Sequence, residues 1–262
     1  MSEYKFYKPV WDGIPDTDSG IEDFIKFYND SYYLGNNRVV YGVTQSCRYV
    51  EDEIDSILET GINNKIDIMH ILAWKIGRVK HSETNKHWNN EKKWYYYKGC
   101  ENTEEGFIQT SRGKEINCNN FANFILYNLP KFEKDVIENR PQEILNALRD
   151  NSPEGIGTIY LITLLYFISK GKYPIYDRFA DLAIQAIIQK EKPGTKLNHK
   201  EPVTKGDNKF DTIYIDTIKP FSKRIEKAFH SYDKYLKNRD LDRALWVYGH
   251  LFESDKKKAK QV

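Results

Sequence analysis

One stretch constrains this chain more than any other: Pro153 to Asp177, PEGIGTIYLITLLYFISKGKYPIYD. Pro153-Glu154-Gly155-Ile156-Gly157 reads as a tight glycine turn. Thr158 to Ile168 is almost wholly apolar and too long for an ordinary strand, so it is predicted to be a buried helix that Gly171 stops. Tyr173-Pro174-Ile175-Tyr176 then runs extended, because proline drives its predecessor out of the helical region. Asp177 falls at the start of the next helix.

The neighbouring segments carry helical periodicity. Pro141 to Arg149 has proline in its first turn and an apolar stripe of Ile144, Leu145 and Leu148. Beyond Asp177, the residues Phe179, Leu182, Ala183, Ala186 and Ile187 repeat at helical spacing. Further helices are predicted over Ile21–Asn29, Ser46–Leu58 (closed by Gly61) and Ile66–Val79. Two more are predicted over Cys118–Tyr127, ending before Leu129-Pro130, and over Phe132–Glu138. Ile213–Leu236 is helical but broken or restarted at Pro220, and a last helix carries Leu241, Ala244, Leu245, Tyr248 and Phe252. Val39-Val40-Tyr41 reads as a short strand or buried chain. The fold class is mainly α: one helical unit over 1–262, with its core at 141–190. Residues 1–20 form a surface arm, 80–116 an irregular insertion, 191–211 a loop and 254–262 a frayed tail.

A hydrophobic content of 40% is enough for a core, but the net charge is only +2, so a nucleic-acid surface has to come from local segregation of charge. Trp74-Lys75-Ile76-Gly77-Arg78 is one such basic, aromatic patch, and His87 to Lys98 interleaves rings with lysines. Such residues stack on bases and hold phosphates, and they equally make an exposed hairpin with some rings buried. Cys47, Cys100 and Cys118 lie far apart, in a spacing that suits neither zinc nor a disulfide framework and cannot hold a four-cysteine iron–sulfur cluster. His81 and His87 lack a ligand pattern, so no metal site is expected. Neither a signal peptide nor a membrane span is visible, which points to a cytoplasmic protein.

Two glycines around Ile156 let the backbone turn sharply and approach a ligand. The amides of Gly155, Gly157 and Thr158 then stand at a helix N-terminus, where free N–H groups and the helix dipole favour an anion. With a helix preceding the turn, a DNA phosphate is the natural candidate. A K⁺ or Na⁺ ion on the Gly155 and Gly157 carbonyls would assist, and no other cofactor is expected. Alone, Gly-Ile-Gly is also a plain helix–helix turn.

The run from Pro141 to Ile188 resembles the helix-hairpin-helix DNA glycosylases, in particular the branch similar to 8-oxoguanine glycosylases. Weaker echoes are Asp67 to Arg78 and Asp242 to His250. The resemblance implies a two-lobed helical fold around a cleft, with Gly155, Ile156, Gly157 and Thr158 gripping the backbone of double-stranded DNA, helped by Lys75 and Arg78. It places Asp177 as the carboxylate that stabilises an oxocarbenium-like sugar or activates water while a damaged or modified base is excised. Tyr160 and Tyr176 become candidates for lining the base pocket or for core packing. Asp177 also makes an ordinary N-cap, and the two roles are compatible.

There are two departures. Glu154 intervenes between Pro153 and Gly155, where the family has Leu-Pro-Gly-hydrophobic-Gly, and it brings a negative charge near the expected phosphate. The lysine that forms an imine in bifunctional members is replaced by Ile159, followed by Tyr160, so hydrolysis without the family's lyase step is expected. The substrate is a damaged base in repair or a modified base in invading phage DNA. The alternative is a non-catalytic helix-hairpin-helix protein that binds DNA or a partner.

Overall fold

The computed structural model describes residues 18–33, 48–76, 79–81, 95–97, 106–109, 115–199, 201–229 and 239–252. These residues are mainly helical. They fall into two compact units. One holds the described residues of Ser46–Ile175 and Pro202–Lys219, the other those of Met1–Gln45, Tyr176–Glu201 and Pro220–Val262.

The unit containing the glycine turn is built from α2 (Arg48–Thr60), α3 (Lys65–Ile76), α4 (Asn119–Ile137), α5 (Pro141–Asn151) and α6 (Thr158–Ile168). Gly61 ends α2 at φ +89°, its N–H bonded to the Ile57 carbonyl at 2.9 Å. Two short antiparallel pairs join these helices: β1 (Val79–His81) with β2 (Tyr95–Tyr97), and β3 (Phe107–Gln109) with β4 (Glu115–Asn117). The core of the unit is α6, in which Leu161, Ile162, Leu164, Leu165 and Tyr166 are wholly buried. Burial of all its residues but Ile159 and Tyr160 explains why its sequence shows no polar face. Ile144, Leu145 and Leu148 of α5 are equally buried, as their spacing predicts.

Three expectations are corrected. Cys118–Tyr127 and Phe132–Glu138 are one helix, α4, which runs through Pro130. Pro130 lies on the exposed side, while Phe121, Ile125 and Phe132 bury a continuous stripe that holds the helix across the proline. Val79 leaves α3 and enters β1, paired with Tyr97. The helix expected from Ile213 opens as a π turn (Tyr214–Ile218), preceded by a 3-10 turn (Asn208–Thr212) where a loop was expected, and it restarts near Pro220 as expected, with the α-helix α8 (Lys219–Ala228) beginning one residue before the proline. Lys219 N–H bonds back to the Tyr214 carbonyl, and Pro220, which has no N–H to give, sits in the first turn of α8, where proline is best tolerated.

The other unit packs α9 (Asp240–Gly249) against α1 (Asp18–Tyr33) and α7 (Arg178–Gln189). Its aromatic core joins Phe24, Tyr28, Phe229 and Tyr248. Among the described residues no helix is long and apolar enough to cross a membrane. The expected arm, the Val39–Tyr41 strand, most of the 80–116 insertion and the tail lie outside the described residues.

Candidate functional site

The turn is shaped by its first glycine. Gly155 has φ +97°, and a Cβ there would stand 2.6 Å from Ile116 Cδ1. Ile156 buries its side chain and donates its N–H to the Pro153 carbonyl at 3.3 Å. Gly157 differs: its φ of −94° is open to any residue, yet nothing lies within 4 Å of where a Cβ would point. The turn is therefore uncovered at the glycine that begins α6. Among the described residues, the N–H groups of Gly155, Gly157, Thr158 and Ile159 meet no acceptor. The Thr158 hydroxyl donates to the Val203 carbonyl at 2.7 Å and so does not cap the amides of the helix start.

A residue the sequence did not point to completes the turn. Lys205 Nζ donates to the Pro153 carbonyl at 2.8 Å, to Ser152 Oγ at 3.0 Å and to the Ser152 carbonyl at 3.3 Å. Burial lowers the pKa of its ammonium, and the charge of Glu154 works the other way. Lys205 thus supplies a positive charge on the turn that offsets Glu154.

Lys75 ends α3, half-buried, with its ammonium 5.9 Å from the Trp74 ring centre, while the Trp74 indole N–H donates to Glu51 at 2.9 Å. Arg78 lies outside the described residues, as do most of His87 to Lys98. Tyr160 is half-buried in α6, its hydroxyl pKa raised by burial and by Cys118 nearby. Lys172, beyond the end of α6, donates to the Val136 carbonyl at 2.6 Å. A hollow of about 390 Å³ at α2 and α3 is lined by Asp52, Glu53 and Asp67, a charge that repels a nucleic acid.

Asp177 belongs to the other unit, with φ −143° and ψ 169° immediately before α7. Its Oδ1 accepts the N–H groups of Phe179 and Ala180, each at 2.9 Å. Oδ2 takes no part in the cap. The carboxylate is half-buried and rigidly oriented. Beside it the Phe179 ring stacks on His250, centroids 3.4 Å apart, and Trp246 meets both rings. Arg178 lies over the same Phe179 ring, its guanidinium carbon 4.5 Å from the centroid. Phe179 and Trp246 remain partly exposed. Asp177 is thus a carboxylate oriented by its helix cap, two residues before the partly exposed ring of Phe179.

Tyr176 does not join that stack. Its ring is 3% exposed and packs edge-on against Phe221, with His199 at 6.1 Å. Burial, with Asp181 nearby, raises its hydroxyl pKa strongly. One turn beyond Asp177, buried Asp181 accepts from Arg224 at 2.5 Å and from Gln185 at 2.7 Å, with His199 Nδ1 at 3.4 Å. This network was illegible in sequence because its members lie on three separate segments.

Among the described residues no group of His, Cys, Asp and Glu is gathered to hold a metal. Comparison with known families, curated proteins and solved structures finds no match to this chain.

Proposed function

We propose that this protein is a monofunctional DNA glycosylase of helix-hairpin-helix type, acting on a damaged or modified base flipped out of double-stranded DNA. The observation that carries the proposal is Asp177: a carboxylate held by two backbone bonds through one oxygen at the start of the helix whose second residue, Phe179, joins Trp246 in a partly exposed aromatic cluster. Breaking an N-glycosidic bond builds positive charge on the deoxyribose, and a preoriented carboxylate stabilises that charge without reorganising. Aromatic faces receive a base that has left the stack. The same carboxylate orients the water that attacks the sugar.

The glycine turn has the complementary role. Its unbonded amides at the start of α6, with nothing covering Gly157, suit a DNA phosphate. Ile159 at the family's lysine position leaves no imine-forming group there, which favours hydrolysis alone.

One observation favours the non-catalytic alternative: the cap bonds to Phe179 and Ala180 account for Asp177 as a purely structural residue. Incubation with duplexes that each carry one modified base, followed by hot alkali, separates the two. A glycosylase leaves abasic sites that alkali converts to breaks, and a binding protein leaves none.

A further inference from the structure

The loop that carries Lys205 bears on both limbs of the glycine turn, Lys205 itself on the first. Its three ammonium protons match three acceptors on the first limb: the Ser152 carbonyl, the Ser152 hydroxyl and the Pro153 carbonyl. Two residues earlier in the same loop, the Val203 carbonyl accepts from Thr158 on the second limb. Ser152 Oγ in turn donates to the Arg149 carbonyl at 2.9 Å, which ties the latch to the end of α5. On the second limb, the Gly157 carbonyl already accepts from Tyr160 N–H at 3.0 Å and Leu161 N–H at 3.4 Å. Of the carbonyls at this turn, those of Ser152, Pro153 and Gly157 are thus engaged by the protein's own donors.

We propose that Lys205 is the built-in cation of the hairpin: its ammonium takes the place of a bound monovalent ion, fixes the turn and sets a permanent positive charge beneath the anion-binding amides. As a positioning residue, Lys205 acts through the turn and not on the reacting sugar. It also answers Glu154, whose negative charge next to the turn would otherwise oppose a phosphate. The role of the latch in DNA binding rests on the glycosylase assignment above. Its role in holding the turn does not.

The test compares the full-length protein in potassium, sodium and tetramethylammonium chloride at matched ionic strength, reading two signals. The first is affinity for an undamaged duplex. The second is hydrogen exchange of the Gly155 to Tyr160 amides without DNA. The wild type is expected to keep both within about twofold across the three salts, since the ammonium is always in place. Lys205→Met is expected to bind about tenfold more weakly and exchange about tenfold faster in tetramethylammonium, with potassium restoring part of both. A wild type whose affinity or exchange improves tenfold in potassium over tetramethylammonium overturns the proposal, and so does a Lys205→Met protein that matches wild type in every salt. If the wild type binds no DNA, the glycosylase assignment fails, and exchange alone decides whether Lys205 is the latch. The wild-type comparison needs no variant, so it decides even if Lys205→Met does not fold.

Discussion

The imidazole of His250 lies flat on the ring of Phe179, centroids 3.4 Å and planes 16° apart. His250 Nδ1 sits 2.7 Å from the Trp246 carbonyl, and because a carbonyl only accepts, that nitrogen carries the proton. Such close stacking requires α9 to approach α7 without a side chain between them. Gly249 provides this: a Cβ there would lie 1.9 Å from the Phe179 carbonyl oxygen.

Gly249→Ala is therefore expected to destabilise this unit by about 3 kcal/mol, the upper range for forcing a methyl into a packed core. The obstacle is backbone, which cannot rotate away. Urea unfolding followed by tryptophan fluorescence measures it, with Trp246 as a reporter inside the cluster. An unfolding midpoint equal to wild type would show that α9 does not pack this closely.

The two glycines of the turn are expected to separate stability from binding. Gly155→Ala meets both φ +97° and Ile116 at 2.6 Å, and should cost about 1–2 kcal/mol of stability. Gly157→Ala meets neither obstacle, so its stability should match wild type within about 0.5 kcal/mol. Its methyl nevertheless stands where a phosphate would approach, and DNA affinity should fall about tenfold. Thermal melts and fluorescence anisotropy on a labelled duplex check the pair.

Removing the partner of a buried carboxylate is costly. Asp181 is 2% exposed and Arg224 is its cation at 2.5 Å. Arg224→Leu should destabilise the unit by about 3 kcal/mol, the lower end for breaking a buried pair, because the arginine side chain keeps a third of its surface in water. Denaturant titration at neutral pH measures the loss.

How far the sequence was legible follows physical lines. The α6 helix was readable to its last residue, because an unbroken apolar run between two glycines admits one solution. The cap at Asp177 was equally local. Pro130 misled because the cost of a proline in a helix is local, while the burial of Phe121, Ile125 and Phe132 that overrides it is not. Lys205 lies in a polar loop far along the chain from Ser152, and nothing in its neighbours marks it. Asp181, His199 and Arg224 escaped notice for the same reason. Tyr176, beside Asp177 in sequence, turns its ring into the core, a choice that adjacency alone does not reveal.

Alkaline instability should be pronounced. Burial pushes the Cys118 thiol from 9.0 up to about 12, and the Tyr173 and Tyr248 hydroxyls from 10.0 up to about 12. Below about pH 8 these groups are protonated in both folded and unfolded chains and contribute almost no pH dependence. Above that, the unfolded chain loses protons that the folded one keeps, so stability falls as pH rises toward 12. Each group contributes a slope of about 1.4 kcal/mol per pH unit in that window. Cys118→Ala should remove one such slope between pH 9 and 11, measured by urea unfolding at stepped pH. An unchanged slope would place the thiol in contact with water.

The most direct measurement concerns Asp177. Asparagine caps a helix as well as aspartate does, so Asp177→Asn should keep the fold and the bonds to Phe179 and Ala180 while losing the negative charge. Wild type and Asp177→Asn are incubated side by side with duplexes that each carry one damaged or modified base, then treated with hot alkali. The account predicts alkali-dependent strand breaks on at least one duplex with wild type, and a loss of rate of about a hundredfold or more with Asp177→Asn at unchanged thermal stability. Breaks formed equally well by Asp177→Asn, or no product on any duplex while DNA binding persists, would contradict it.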